Sequence, residues 1–129
     1  NGFEVFQEKI INSVKEAGGM PCPPIILGIG LGGDASMCMK LAKKAVLRPL
    51  NFRNPREDVA RIEKDLIKQI NKLKIGIMGL GGDITCLDVH IEIAMRHPAS
   101  YPVGLIVQCY SHRYASLIMN QKGEITYGA

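Results

Sequence analysis

Aromatic residues are scarce, 5% in all, and tryptophan is absent, which argues against a surface that stacks nucleic-acid bases. No apolar run reaches membrane-spanning length, and no charged-then-apolar leader opens the chain. A soluble, cytoplasmic protein without a membrane partner is therefore expected. The four cysteines, at positions 22, 38, 86 and 109, include no C-x-x-C pair. That spacing is not a zinc ribbon, and a secreted disulfide scaffold would be denser in cysteine. Charge of one sign is not dominant either. The formal +4 is only a weak pointer to an anionic partner, and its lysines and arginines interleave with acids at the spacing of solvated helix faces. No nucleic-acid partner is expected.

What remains is an ordinary globular composition, 47% hydrophobic and 22% charged, in 129 residues. That length fits one domain or a piece of one. The chain begins at Asn1-Gly2 without a methionine and enters a helical pattern at once, so a preceding segment is expected.

Phe3, Phe6, Ile10, Val14 and Ala17 recur at helical spacing and predict an amphipathic helix over 3–17, stopped by Gly18-Gly19. Pro21-Cys22-Pro23-Pro24 is a stiff bend. Ile25 to Ile29 reads as a buried strand, Gly30 to Gly33 as a turn, and Asp34 as the cap of a helix reaching about Leu47. Asn54-Pro55-Arg56-Glu57 reads as a helix start with Asn54 at the cap. That helix runs to about Leu73, with Val59, Ile62, Leu66, Ile70 and Leu73 inward. From Leu87 the period changes to two, with Asp88, His90, Glu92 and Ala94 on the polar side. A strand from Val103 to Tyr110 follows, then a hairpin of Tyr114–Met119 and Ile125–Tyr127 turning at Gly123. The class is α+β (mixed α/β), with helices first, a β-rich C-terminal part and glycine-rich loops between.

Gly28-x-Gly30-x-x-Gly33 spells the dinucleotide fingerprint between a strand and a helix. No second strand ending in an acid follows at the required distance, and glycines used for packing or turns give the same string. Gly30-Leu31-Gly32-Gly33-Asp34 returns as Gly79-Leu80-Gly81-Gly82-Asp83, which suggests two turns that approach something closely. Cys38 and Cys86 lie in apolar runs and read as small buried hydrophobes. Cys22 in its proline bend and Cys109 ahead of Ser111-His112-Arg113 have settings better suited to a thiolate. His90, His97 and His112 are candidates for proton transfer or carboxylate binding, and position alone does not choose among them.

Several ordered blocks together resemble the alpha region of class I (iron–sulfur) fumarate hydratases and of the related L(+)-tartrate dehydratases. They are Gly18-Gly19-Met20-Pro21-Cys22-Pro23-Pro24 with Gly28 to Gly33, then Leu41-Ala42-Lys43-Lys44-Ala45-Val46-Leu47-Arg48, then Ile70 to Gly76 running into Met78 to Gly82. His97-Pro98-Ala99-Ser100-Tyr101-Pro102-Val103 and Gln108-Cys109 close the series. The resemblance implies a four-iron, four-sulfur (4Fe–4S) cluster held by three cysteines with one iron open. Cys22 and Cys109 would be two of the metal ligands, and His97 the catalytic histidine that contacts substrate. The family's third cysteine belongs to a Cys-Gln-Asp-Thr-Gly block that this sequence does not contain. Residues 1–129 would then be the C-terminal half of the iron–sulfur domain of a hydro-lyase interconverting fumarate and malate, or of a tartrate dehydratase, inactive alone. The expected partners are a dicarboxylate substrate, a beta subunit or C-terminal domain, and further copies of the chain. The competing readings are a nucleotide-binding module on Gly28–Gly33 and a metal-free structural domain.

Overall fold

The structure, a computed structural model, describes residues 2–112 and 115–128. Its elements in chain order are helix α1 (Gly2–Ala17), strand β1 (Ile25–Leu31), helices α2 (Ala35–Val46) and α3 (Glu57–Asn71), and strands β2 (Cys86–Ile93), β3 (Val103–Gln108), β4 (Ser116–Met119) and β5 (Ile125–Gly128). The expected α+β class is what is seen. Arg113, expected beside Cys109, and Tyr114, the expected start of the hairpin, lie outside the described residues.

β1 is the central strand of a three-stranded sheet in the order β2-β1-β3, parallel to β2 and antiparallel to β3; β4 and β5 pair separately. On one face Leu27, Ile29, Leu31, Val89 and Ile91 form a continuous core with Phe6, Ile10 and Val14 of α1 and Val59, Leu66 and Ile70 of α3. The apolar stripes predicted for both helices are the ones buried.

The other face lies directly under α2. Gly28 and Gly30 point at that helix, and a methyl group on either would meet its main chain. At Gly30 the added carbon would stand 1.9 Å from the Cys38 carbonyl oxygen. Two glycines let backbone meet backbone where any side chain would hold the layers apart. This changes the expected turn. β1 runs on through Gly30 and Leu31, and the reversal falls at Gly32 and Gly33, both at positive φ. Asp34 caps α2 as expected, its Oδ1 accepting from the Met37 N–H at 2.7 Å.

α3 begins later than the sequence suggests. Asn54 is not its cap: Asn54 Oδ1 accepts from the Arg56 N–H at 2.9 Å and Nδ2 donates to the Ile91 carbonyl at 2.8 Å. With that side chain committed to a local turn and to β2, the helix starts at Glu57, and Arg56 occupies the cap position without a side-chain cap bond.

β2 is an edge strand whose free side is sealed by side chains. Asn71 Oδ1 accepts from the Thr85 and Cys86 N–H groups. Glu63 Oε1 accepts from the Ile91 N–H at 2.8 Å, and Arg48 Nη2 and Arg53 Nη1 donate to the carbonyls of Ile91 and Val89. Such cover prevents a second chain from pairing along the edge.

The polar face of β2 turns out to be buried under α2, with Asp88 and His90 inaccessible to solvent. Asp88 accepts from the Asn51 N–H at 2.6 Å and pairs with Arg53. His90 Nε2 lies 3.1 Å from Asp88 Oδ2, too poorly aligned to count as a hydrogen bond. Burial alone would raise the Asp88 pKa. The His90 ring, Arg53 and the Asn51 N–H outweigh it and hold the carboxyl at about 2. A carboxyl whose folded pKa lies below its unfolded value stabilises the fold above the unfolded value, and that stability disappears as pH falls toward the folded one. Urea titrations should therefore show about 2 kcal/mol lost between pH 5 and pH 2 that the Asp88→Asn variant, less stable at neutrality, does not lose. Parallel pH curves for the two proteins would contradict this assignment.

Candidate functional site

The start of β1 and the end of β3 meet at one end of the sheet. Ile26 pairs with Gln108, so the chain entering β1 and the chain leaving β3 run side by side. One further bond joins them: the Tyr110 N–H donates to the Cys22 carbonyl at 3.2 Å. Cys22 and Cys109, 87 positions apart in the sequence, thus belong to adjacent backbone segments.

Cys22 is exposed and adopts a left-handed φ of 55°. A non-glycine residue holds that conformation only when its surroundings fix it. Here the Cys22 N–H donates to the Gly19 carbonyl at 3.1 Å, and the Pro23 carbonyl receives the Met78 N–H at 2.8 Å. The Cys22 sulfur donates one long hydrogen bond, 3.8 Å to the Met20 carbonyl. Cys109 is half-buried, with Sγ 2.8 Å from the Ser111 hydroxyl. Bonding to that hydroxyl, and then to the Ser111 N–H, holds the Cys109 thiol below its ordinary pKa. Both sulfurs are free to bind a soft ion, and one is biased toward thiolate.

A third segment completes this end. The loop 76–82 leans on the bend that carries Cys22, and the two main chains pack so closely that a methyl on Gly79 would stand 2.7 Å from the Gly19 Cα and one on Gly19 3.0 Å from the Gly79 Cα. The repeat of the glycine string is therefore two separate close approaches, Gly30 to α2 and Gly79 to Gly19.

The other cysteines play no part here. Cys38 is buried in α2 and bonds to the Ala35 carbonyl. Cys86 is buried beneath α3, and burial pushes its thiol up to about 12. Both are the small hydrophobes expected.

His97 lies elsewhere. The loop 94–102 joins β2 to β3 and sits at the far end of β1, where the Gly32 N–H donates to Pro102 and the Gly33 N–H to Met95. The seven residues of β1 put roughly 20 Å between this loop and the thiols. His97 is exposed there, its Nδ1 accepting from the Ala99 N–H at 3.1 Å. The structure brings Cys22 and Cys109 together and leaves His97 apart from them. His90 is buried beside Asp88, and the His112 N–H donates to the Cys109 carbonyl.

The donor set fits two corners of an iron–sulfur cluster, namely two unbridged thiols at one end, one of them biased toward thiolate, amid crowded glycine backbone. Among the described residues no three histidine, cysteine or acidic side chains converge as a metal site.

The fingerprint glycines have a different use. Gly28 and Gly30 face α2, and the N-terminus of that helix, where a pyrophosphate would sit, already holds the Asp34 carboxylate. Packing, not a nucleotide, accounts for the pattern.

The family model for fumarate hydratase (Fumerase) matches residues 1–118. The chain is 51% identical over 115 residues to a Methanocaldococcus jannaschii protein named for the alpha subunit of L(+)-tartrate dehydratase, covering 89% of this chain and 40% of that one. It is 32% identical over 119 residues to the L(+)-tartrate dehydratase subunit alpha of Escherichia coli K12, covering 92% of this chain and 39% of that one. The same values hold for the Shigella boydii subunit. The chain thus spans about two-fifths of the length of these relatives. With most of its residues inside the match, the chain belongs to the fumarate hydratase (Fumerase) family.

Proposed function

We propose that this chain supplies two of the three thiolates of a 4Fe–4S cluster, Cys22 and Cys109, within a hydro-lyase that adds water to, and removes it from, a four-carbon dicarboxylate. The observation that carries this reading is the Tyr110–Cys22 main-chain bond, which sets the two cysteine segments side by side. The third ligand, and most groups that grip substrate, would come from outside these 129 residues, in keeping with the two-fifths of the relatives that the chain spans.

The bound cluster would supply an open iron acting as a Lewis acid on the substrate hydroxyl. The chain's own residues hold that position. The proline bend and the Gly19–Gly79 contact fix Cys22, and Ser111 lowers the proton affinity of Cys109, which eases metal binding at neutral pH. His97 is proposed as the histidine that contacts substrate. At roughly 20 Å from the thiols of its own chain, it meets a cluster-bound substrate only if its loop faces a second copy or folds over in the assembly.

The first reading of the substrate is fumarate and malate. The name of the family model supports it, the names of the relatives support L(+)-tartrate equally, and a chain akin to their alpha subunits would work with a beta-subunit partner.

The test uses the assembled enzyme containing this chain, reconstituted with iron and sulfide without oxygen. Cys22→Ser and Cys109→Ser are each expected to lose most of the bound iron. Turnover should fall by more than the roughly 100-fold that changes around a metal ligand cost. Cys38→Ala should keep its iron, and His97→Gln should keep iron while losing turnover. Full cluster content in Cys22→Ser would refute the ligand assignment. Rates on fumarate and on L(+)-tartrate decide the substrate.

A further inference from the structure

The three-stranded sheet has two edges, and they are treated differently. Along β2 the outward groups are met by Asn71, Glu63, Arg48 and Arg53. β3 has no such cover. The Gly32 N–H donates to the Pro102 carbonyl, and along an antiparallel ladder the residues that bond to a given neighbour alternate. Gly104, Ile106 and Gln108 therefore direct their N–H and C=O groups at β1, while Val103, Leu105 and Val107 direct theirs away from it. Among the described residues no hydrogen bond reaches those outward groups.

β3 also has none of the features that keep an edge solitary. From Val103 to Gln108 it carries no charge and no proline, and its register with β1 contains no bulge. Gly104 faces α2, so the side chains of Val103, Leu105 and Val107 lie on the opposite face, where Leu105 packs on the core. Val103 and Val107 are 39% and 38% exposed. On the other face Met39 of α2 overhangs Gly104 and is 45% exposed.

The order of the three outward residues chooses the partner. Valine, leucine, valine reads the same in both directions. A second β3 laid antiparallel across a two-fold axis at Leu105 sets Leu105 against Leu105, and each Val103 against Val107 of the other copy. We infer that β3 pairs in this way with β3 of a second copy of the chain. The product is one six-stranded sheet in the order β2-β1-β3-β3-β1-β2, with the sealed edge at both ends. A six-residue strand edge, about 20 Å long, is small beside the roughly 800 Å² per partner of a stable dimer. Val103 and Val107 on one face and Met39 on the other add apolar area to the main-chain bonds. The register has a further consequence. Tyr101 falls opposite Cys109 of the second copy, so the loop 94–102, remote from its own thiols, lies beside those of the other chain. That consequence bears on the hydro-lyase reading, but the pairing does not rest on it.

The assembled enzyme tests the pairing in two ways. In the parent, residue-resolved hydrogen exchange should find the amides of Val103, Leu105 and Val107 as slow as those of Gly104, Ile106 and Gln108. Under a mild disulfide oxidant, Leu105→Cys should link two copies of the chain roughly tenfold or more faster than Val107→Cys, because only position 105 meets itself across the axis. The double variant Val103→Cys, Val107→Cys should link as well, and its exposed positions serve if Leu105→Cys fails to fold. The parent under the same oxidant sets the background from the native thiols. Fast exchange at the outward amides would show an open edge and overturn the pairing. Slow exchange without a linked dimer would put some other strand on β3, and equal linking by Val107→Cys alone would move the axis; either result overturns it too. Iron content enters none of these readouts, so the cluster ligands and the pairing fail separately.

Discussion

Replacing Gly30 with alanine should leave the protein mostly unfolded or insoluble, at a cost of about 3–5 kcal/mol, a large share of the 5–15 kcal/mol that holds an ordinary domain together. The new carbon would lie 1.9 Å from the Cys38 carbonyl oxygen and 2.6 Å from the Ala42 nitrogen. Both are main-chain atoms of α2, so no rotamer change relieves the overlap and the whole helix has to move. Overpacking usually costs 1–3 kcal/mol because side chains yield; here nothing flexible stands in the way. Urea denaturation compares the variant with its parent. A midpoint shift worth less than about 1 kcal/mol would mean that α2 does not rest on β1.

The same contact shows why the glycine string was ambiguous in the sequence. A strand, a glycine-rich turn and a helix suit a nucleotide because backbone can come close to a phosphate. They suit helix-on-strand packing for the same reason, and the string does not say which partner approaches. A discriminating signal was present in Asp34, an acid at the helix start where an anion would have to bind. The buried stripes of α1 and α3 were legible because helical periodicity records one-sided burial directly. β2 was legible as a strand, but its polar side was not legible as a buried one, because period two reports two faces and not what covers them.

The site was legible in part. The conjunction of Cys22 and Cys109 depends on the antiparallel pairing of β1 with β3, a long-range register that no local pattern encodes. Resemblance supplied the pair, and the fold shows how they meet. The separation of His97 follows from the same register, since the loop entering β3 must lie at the opposite end from the residue leaving it. Glu63 was missed. It falls within the apolar stripe of α3, three positions before Leu66 and four after Val59, and an acid there, with Arg48 and Arg53 upstream, was the available sign of a buried ion pair.

That residue carries the second large effect. Glu63 is inaccessible to solvent and serves four groups at once: Arg48 Nη1 at 2.7 Å, Arg53 Nη1 at 3.5 Å, and the N–H groups of Ile91 and Asn54 at 2.8 and 3.0 Å. Glu63→Ala would take one of two carboxylate partners from each of Arg48 and Arg53, which keep Glu92 and Asp88, and would leave the N–H groups of buried Ile91 and of Asn54 without this acceptor, for a loss of about 3–5 kcal/mol. Glu63→Gln keeps the shape and one acceptor oxygen but turns an amide toward donors, and should cost about 2 kcal/mol. The order matters more than either value. If charge pairing alone were at work, glutamine would be nearly as harmful as alanine; if acceptor geometry dominates, glutamine recovers about half. Paired urea curves for the two variants read this out, and an alanine variant as stable as the parent would show that the edge of β2 is held by something other than this carboxylate.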